Sequence, residues 1–387
     1  MGFNANDGGW NFIASPMTTI EIANAAHTNV ITDDYSLFMF DQARELEWQN
    51  YKKNGTENHT DFTTLDNGKG YLYASGASFT ALFKGTLANP ATGAVPVTYT
   101  DANPADAMRG WNLIGNPFTC NAYLSGGFYA INGAGNPVAH CGNGTTVVPP
   151  CTGVMVRATE GQETIVFSKT PVATTNNGLL NITMGQQLMD RDGTSTTTVD
   201  NAIVSFNEGN ELEKFYFGQS NANIYIQQGG KEYAISTSET QGELPVSFRA
   251  NENGQYTLTV NPEGIEMNYL HLIDNKTGAD IDLLVEPCYA FDATTTDYES
   301  RFKLVFSANG EDAPSIGSDT FAFVSNGNLI VNNEGEAALQ VIDAMGRVLR
   351  SQSINGTTEL GFNIVPGVYV LRLVNGNVVK VQKIVID

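Results

Sequence analysis

Charged side chains are scarce in this sequence, and basic ones are scarcer than acidic ones. They make up 16% of the 387 residues, against about 25% in an average globular domain. With 41 acidic and 20 basic residues, the formal net charge is −21. Such a surface repels phosphate groups, so we expect neither nucleic-acid binding nor attraction to anionic membranes. No apolar run reaches the length of about 18 residues that spans a bilayer, which predicts no transmembrane segment.

Recognisable catalytic motifs are also missing. The four histidines lie outside any H-E-x-x-H pattern, and there is no G-x-S-x-G elbow or phosphate-binding glycine loop. A carboxylate pair for glycoside hydrolysis stays open, because acidic pairs are abundant. The partial calcium pattern Asp190–Ser195 lacks the glutamate that completes an EF-hand loop. We interpret it as a turn, with calcium binding as the alternative, and predict no catalytic residue, no metal site and no cofactor.

The four cysteines form no C-x-x-C pair, which disfavours a zinc site. Three of them, Cys120, Cys141 and Cys151, fall within 32 residues. One disulfide among these three would suit an exported protein, and free buried thiols are the alternative. Cys288 lies in an apolar run and is predicted to be a core residue.

Residue types that favour strands and turns are more abundant in this sequence than those that favour helices. Alternating runs such as Tyr256–Val260 and Phe302–Phe306 recur between Gly, Asn, Asp and Pro. Asn-Gly pairs, for example Asn355-Gly356, favour tight hairpin turns. We predict an all-β fold, with several β-sandwich modules of immunoglobulin-like or jelly-roll type in tandem.

A ten-residue motif occurs twice in the first half of the chain. Gly9–Thr18 and Gly110–Thr119 are identical at six of ten positions. A glycine-led strand pattern follows each copy, at Lys69–Ala74 and at Thr152–Ala158. This order predicts two related β-modules within residues 3–175.

Aromatic residues of these modules allow two interpretations. Trp10 and Trp111 stand beside Ile and Phe at strand spacing, and a tryptophan in that setting usually packs inward. We therefore expect both to be buried, with an exposed binding platform as the alternative. If the modules bind carbohydrate, the candidate residues that would stack on sugar rings are Tyr71, Tyr73, Tyr123 and Tyr129.

The second half of the chain divides at a change in charge. About ten short strand patterns between residues 179 and 308 predict a β-sandwich. The segment Glu311–Gly317 is predicted to be a linker. From Phe321 to Asp387 there are five acidic and five basic residues, so the excess negative charge lies upstream. We predict a separate domain at residues 319–387.

The start of the chain shows no signal peptide. Met1 and Gly2 lead quickly into the strand pattern Trp10–Ile13, without the charged and apolar regions of a leader. We therefore expect that the native protein begins further upstream.

Three short elements follow one another at the C-terminal end. The first is a strand closing on Asp-x-x-Gly-Arg, the second a Gly-x-Tyr strand, and the third a terminal Lys-Ile-Val-Ile strand. Gly at the first turn can adopt the positive φ that a tight turn requires. The residues that carry the pattern are Asp343, Gly346, Arg347, Gly367, Tyr369, Lys383, Ile384, Val385 and Ile386.

This arrangement resembles the C-terminal sorting domain of the type IX (Por) secretion system of Bacteroidota. The resemblance covers about Phe321–Asp387, and it implies an immunoglobulin-like domain that interacts with the secretion machinery. It also implies export across the outer membrane and attachment at the cell surface, with residues 308–320 as the region of cleavage where the sorting domain is removed. The upstream modules are similar to those of adhesin-like surface proteins.

Three functions are compatible with these expectations. The first is a secreted, non-catalytic adhesin or stalk at the outer-membrane surface, which binds a host protein or glycan. The second is a carbohydrate-binding module that assists a surface enzyme. The third is the C-terminal part of a secreted hydrolase whose catalytic domain is missing from this chain.

Overall fold

The protein consists almost entirely of β-strands. A computed structural model describes residues 2–5, 9–52, 62–76, 79–100, 106–142, 144, 146–172, 177–190, 193–217, 220–308, 321–325, 328–333, 335–343, 346–361, 367–375 and 378–386. Within these ranges the only helical element is a 3₁₀ turn at Asp106–Met108. This confirms the predicted all-β class, which follows from the abundance of residues that favour a pleated, half-buried surface. No helix in the same ranges is long and apolar enough to cross a membrane.

Backbone contacts divide the chain into two compact units. The first comprises Met1–Ser238 with Gln255–Ile265, and the second comprises Glu239–Gly254 with Glu266–Asp387. The division predicted from the sequence, with domains at 3–175, 179–308 and 319–387, remains a prediction.

The first unit opens with many short strands. They are β1 Gly2–Ala5, β2 Trp10–Ala14, β3 Thr19–Glu21, β4 Tyr35–Phe40, β5 Trp48–Asn50, β6 Thr64–Asp66, β7 Gly70–Ser75, β8 Phe79–Leu82, β9 Ala94–Pro96, β10 Trp111–Gly115, β11 Ala122–Tyr123, β12 Phe128–Ile131, β13 Pro137–His140, β14 Val147–Val148, β15 Gly153–Arg157 and β16 Thr164–Val166. The two copies of the sequence motif provide β2 and β10.

These strands form the same set of sheets twice. Four-stranded sheets have the orders β2-β7-β4-β5 and β10-β15-β12-β13. The two-stranded sheet β3-β6 has its counterpart in β11-β14, and β1-β8 has its counterpart in β9-β16. The motif found in the sequence therefore marks a duplication of topology across residues 2–166.

The two modules are linked reciprocally through equivalent positions. Ile13 of the first module forms a β-bridge with Thr152 of the second, and Ile114 of the second forms one with Lys69 of the first. In each case the isoleucine of the tryptophan strand meets the residue just before the glycine-led strand. These two contacts between the modules are therefore related by an approximate two-fold symmetry.

The remaining strands of the central region are longer. They are β17 Leu179–Asp190, β18 Gly193–Ser205, β19 Leu212–Glu213, β20 Ala222–Gln228, β21 Lys231–Thr237, β22 Gln241–Ala250, β23 Gly254–Glu263, β24 Met267–Asp274, β25 Ala279–Asp282, β26 Cys288–Ala293 and β27 Phe302–Ala308. Within the first unit the strand order is β20-β21-β18-β17-β23, with β19 paired to β21. Within the second unit it is β25-β24-β27-β22.

One hydrophobic core joins the modules of the first unit to its long sheet. Trp111 is buried there, and its ring centroid lies 4.8 Å from that of Phe215. Trp10 is half-buried at the same core, 5.9 Å from Phe38. The expected inward packing is thus complete for Trp111 and partial for Trp10, because Trp10 lies near the edge of the cluster.

A buried ion pair lies inside the second unit. The guanidinium of Arg301 donates hydrogen bonds from Nε (3.1 Å) and Nη2 (2.8 Å) to the carboxylate of Asp274, and both side chains are at most 2% exposed. Tyr289 donates its hydroxyl proton to the same carboxylate at 2.9 Å. The charges are therefore matched by hydrogen bonds, without which their burial would be costly.

Candidate functional site

The C-terminal residues form two sheets around one core. Their strands are β28 Ala322–Ser325, β29 Asn328–Val331, β30 Glu336–Asp343, β31 Val348–Asn355, β32 Thr358–Gly361, β33 Gly367–Asn375 and β34 Val378–Ile386. One sheet has the order β28-β29-β32 and the other β31-β30-β33-β34. Leu329, Leu339 and Leu371 of the two sheets belong to one buried cluster. The C-terminal sequence pattern is therefore part of a domain with its own core.

The Asp-x-x-Gly-Arg element is a tight turn, as the sequence predicts. Gly346 has a φ of +81°, which is the left-handed conformation that glycine adopts at low cost. The carboxylate of Asp343 accepts hydrogen bonds from the backbone N–H of Arg347 at 2.9 Å and from its Nε at 2.7 Å. Because Arg347 is 75% exposed in its side chain while Asp343 is only 12% exposed, the turn holds a guanidinium at the surface.

The Gly-x-Tyr element begins β33, and the side chains of this strand alternate between buried and exposed, as predicted. Tyr369, Leu371 and Leu373 are buried, whereas Val368 is exposed. Alternate residues of a strand point to opposite faces, so one face of β33 packs into the core. Asp343 pairs with Tyr369 across the sheet, which places the turn beside this strand.

The terminal element forms β34 at one end of the four-stranded sheet. Ile384 is buried and pairs with Tyr369, while Lys383 is exposed and pairs with Val370. Val385 and Ile386 pair through their backbone with Val368 and Gly367, but their side chains lie outside the described residues. All nine residues of the sequence pattern thus belong to the sheet β31-β30-β33-β34 or to the turn between two of its strands.

Gln382 is a residue of this domain that sequence reasoning missed. Its Oε1 accepts hydrogen bonds from the backbone N–H of Phe321 at 2.7 Å and of Ala322 at 2.8 Å, and its Nε2 donates to the carbonyl of Ala322. One side chain therefore fastens the terminal strand to the first strand of the domain. Nothing in the local sequence marks this role, because the partners are 60 and 61 residues away.

Three of the four tyrosines predicted as sugar contacts are core residues, so that prediction is corrected for them. Tyr71 is 2% exposed, and Tyr73 and Tyr129 are fully buried. Tyr73 donates its hydroxyl proton to the carbonyl of Val30 at 2.9 Å, and burial raises the pKa of Tyr73 to about 12. Side chains buried on both faces cannot stack on a sugar ring. Tyr123 is half-buried.

The predicted cysteine arrangement is also corrected. All four cysteines are free, because Cys141 and Cys151 belong to two different core clusters and Cys120 is exposed. The free-thiol alternative therefore describes Cys141 and Cys151, and burial raises the pKa of both thiols. Cys288 is exposed at the start of β26 rather than buried.

No group of three or more His, Cys, Asp or Glu side chains in the described ranges is arranged to hold a metal ion. The Asp190–Ser195 pattern lies partly outside those ranges, at residues 191 and 192. The predicted linker Glu311–Gly317 lies wholly outside them, and so does the expected region of cleavage, 308–320, from residue 309 onward.

A cavity of about 340 Å³ lies between the two β-modules. The polar residues that line it include Asp41, Lys69, Gln42, Thr98 and Asn112. The amide of Gln42 donates to Thr98 O at 2.6 Å, and Asn112 Oδ1 accepts from Thr98 N at 2.9 Å. The amide of Gln42 therefore links the first module to the second, and its Oε1 also accepts from the backbone N–H of Gly110 at 2.7 Å. The bonds between Asn112 and Thr98 lie within the second module.

Comparison with known families assigns the C-terminal domain. The family model described as secretion system C-terminal sorting domain matches residues 325–387, a range that contains β29–β34 and all nine residues of the pattern. No curated protein matches the chain. The predicted sorting domain is confirmed, and with it export through a type IX secretion system, interaction with its machinery and attachment at the cell surface.

Proposed function

We propose that this protein is a non-catalytic adhesin or stalk at the outer-membrane surface. The observation that carries the proposal is the sorting domain at residues 325–387, which directs the upstream units to the cell exterior. The duplicated modules support a scaffold role, because their most distinctive residues serve packing: Trp111 lies in the core and the motif isoleucines Ile13 and Ile114 bridge the modules. The binding partner we propose is a host protein or glycan.

Removing the terminal strand tests the sorting role directly. Deletion of Lys380–Asp387 removes most of β34 and with it Ile384 and Gln382, which contact the core and the first strand of the domain. We expect the deleted protein to accumulate in the periplasm, while the intact protein reaches the surface. Cell fractionation and immunodetection of both forms measure the difference. Surface display of the deleted form at the normal level would refute the sorting role.

The two alternative functions predict different results in separate assays. A carbohydrate-binding accessory protein would give reproducible hits on a glycan array with the purified chain. A hydrolase fragment would be revealed by a catalytic domain in the same gene. A protein that is required for attachment of cells to a host surface fits the adhesin proposal, with a glycan as the partner if the array gives hits and a host protein if it does not. An accessory protein would give hits without being required for attachment.

A further inference from the structure

The outer side of the C-terminal sheet β31-β30-β33-β34 carries an apolar patch. Its members on β30, β33 and β34 point away from the core, because they lie on the side of their strands opposite to core residues such as Val341, Leu371 and Ile384. Val348 of β31 joins them because it is paired with Ile342. Val348, Val368 and Val381 are 52%, 42% and 52% exposed. We call this surface the outer face and define it by Val348, Ile342, Val370, Val368, Val381, Arg372 and Lys383.

The outer face is continuous across all four strands. Ile342 is paired with Val348 on one side and with Val370 on the other, and Val370 is paired with Lys383. Directly opposed side chains lie about 5 Å apart, and diagonal neighbours about 7–8 Å apart. The apolar side chains therefore form one surface rather than separate exposed residues, which are common and need no explanation.

Its charge differs from that of the rest of the chain. Arg372 pairs with Val381 and Lys383 with Val370, so two basic side chains flank the apolar residues. The whole chain has a net charge of −21, whereas the segment from Phe321 is neutral. A basic and apolar face selects a partner surface that is apolar and carries carboxylates.

The inner side of this sheet is already occupied. It packs into the domain core through residues such as Leu339, Val341 and Leu371. The inner side of β34 is also used, because Gln382 binds the backbone of Phe321 and Ala322. The family match includes all four strands of the sheet, so a partner that recognises the folded domain can reach the exposed valines of the outer face, whereas the inner side is covered by the core.

We propose that the outer face is the surface by which the secretion machinery binds this domain, through an apolar patch of the partner rimmed by carboxylates. This inference rests on the sorting role of the domain and adds which residues carry it. Binding buries the exposed valines and brings Lys383 and Arg372 against acidic side chains. The sign of the charge at the face then decides whether export proceeds.

The test places charges of opposite sign at one position. In the full chain, Val370→Glu and Val348→Glu should reduce surface display by about tenfold or more, since an unpaired carboxylate in a desolvated interface costs more than the about 1.4 kcal/mol that equals tenfold in affinity. Val348→Lys should reduce display much less than Val348→Glu, because the partner surface is acidic. Lys383→Glu should impair display and Lys383→Arg should preserve it.

Controls separate docking from folding. Val285→Glu and Val166→Glu place the same charge at exposed valines, 81% and 56% exposed, far from this sheet in sequence, and both should be displayed normally. Val370→Thr keeps the β-branched shape without charge and should be displayed at near the normal level. Thermal unfolding and protease resistance of the purified variants should match those of the unchanged protein.

The outcomes distinguish the two proposals. If the Lys380–Asp387 deletion is trapped but the glutamate variants are displayed normally, the outer face is wrong and the sorting role stands. If Glu and Lys at position 348 impair display equally, the acidic partner surface is wrong. If the deletion is displayed normally, the sorting role itself fails.

Discussion

At the scale of single residues, we expect the buried ion pair of Arg301 and Asp274 to contribute more to stability than ion pairs at the surface. Arg301 lies inside the second unit, with its guanidinium 4.4 Å from the ring centroid of Phe291 and bonded to Asp274. Burial alone would raise the pKa of Asp274, but the hydrogen bonds and charge of Arg301 outweigh it and lower the pKa. A carboxylate whose pKa is lowered by folding stabilises the folded state wherever it is ionised.

We predict that Asp274→Asn destabilises the protein by about 3 kcal/mol at neutral pH, the lower end of the usual cost of breaking a buried ion pair, because it leaves Arg301 buried with only the carboxylate of Asp297, 3.3 Å from Nη1, as a charged partner. The folded-state pKa lies below the unfolded value of about 3.9, so this stabilisation is present above about pH 4 and is lost as the pH falls through the folded-state pKa. Urea unfolding of both proteins at pH 7 and pH 3 should show a difference that shrinks on acidification.

The control for this experiment is Asp292→Asn. Asp292 is exposed, and it contacts Arg301 through its backbone carbonyl, which the substitution leaves in place. It should change the free energy of unfolding by less than about 0.5 kcal/mol. An equal loss of stability in both variants, or a loss for Asp274→Asn that is independent of pH, would contradict the role of the ion pair.

At the scale of elements, glycines allow strands of the two modules to approach each other closely. A Cβ at Gly115 would lie 2.5 Å from Ala14 Cβ and 2.6 Å from the carbonyl oxygen of Lys69. A Cβ at Gly70 would lie 2.7 Å from the carbonyl oxygen of Ile114. Backbone atoms cannot move aside as the end of a long side chain can. The strands can therefore approach this closely only because glycine, which has no side chain, occupies both positions.

We predict that Gly115→Ala destabilises the first unit by about 1–3 kcal/mol, the usual cost of overpacking a well-packed interior. The matched substitution Gly133→Ala has open space at its Cβ position and should leave stability nearly unchanged. Thermal unfolding of the two variants measures the effect. If the Gly115→Ala variant unfolds at the same temperature as the unchanged protein, the close approach of the modules does not require glycine at position 115.

At the scale of the whole molecule, charge and sorting information are separated along the chain. The acidic excess lies upstream of Phe321, whereas the neutral C-terminal domain carries the family match. This arrangement fits a protein whose upstream part functions outside the cell and whose last domain serves export.

We predict that the mature surface form ends within residues 308–320, as expected if the sorting domain is removed there after export. Intact mass measurement of protein released from the cell surface, compared with the periplasmic form of the Lys380–Asp387 deletion, checks this. A mature protein that retains residues 321–387 would show instead that the domain stays as a permanent module.

Local sequence patterns predicted the elements of the sorting domain well. Gly346 with its positive φ and the alternation of Tyr369, Leu371 and Leu373 follow from turn chemistry and strand periodicity, which act over a few residues. The repeated tryptophan motif likewise predicted two related modules, because the same local sequence forms the same strand twice.

The sequence by itself determined the all-β class, the duplicated motif and the C-terminal sorting pattern, since each depends on neighbouring residues. Only the tertiary structure decided that Tyr71, Tyr73 and Tyr129 are core residues and that Gln382 holds the first strand of its domain. These properties depend on which distant strands meet, and strand periodicity shows that one face is buried without showing which strand covers it. The continuity of the outer face across β31, β30, β33 and β34 is such a property as well, because it arises from cross-strand register.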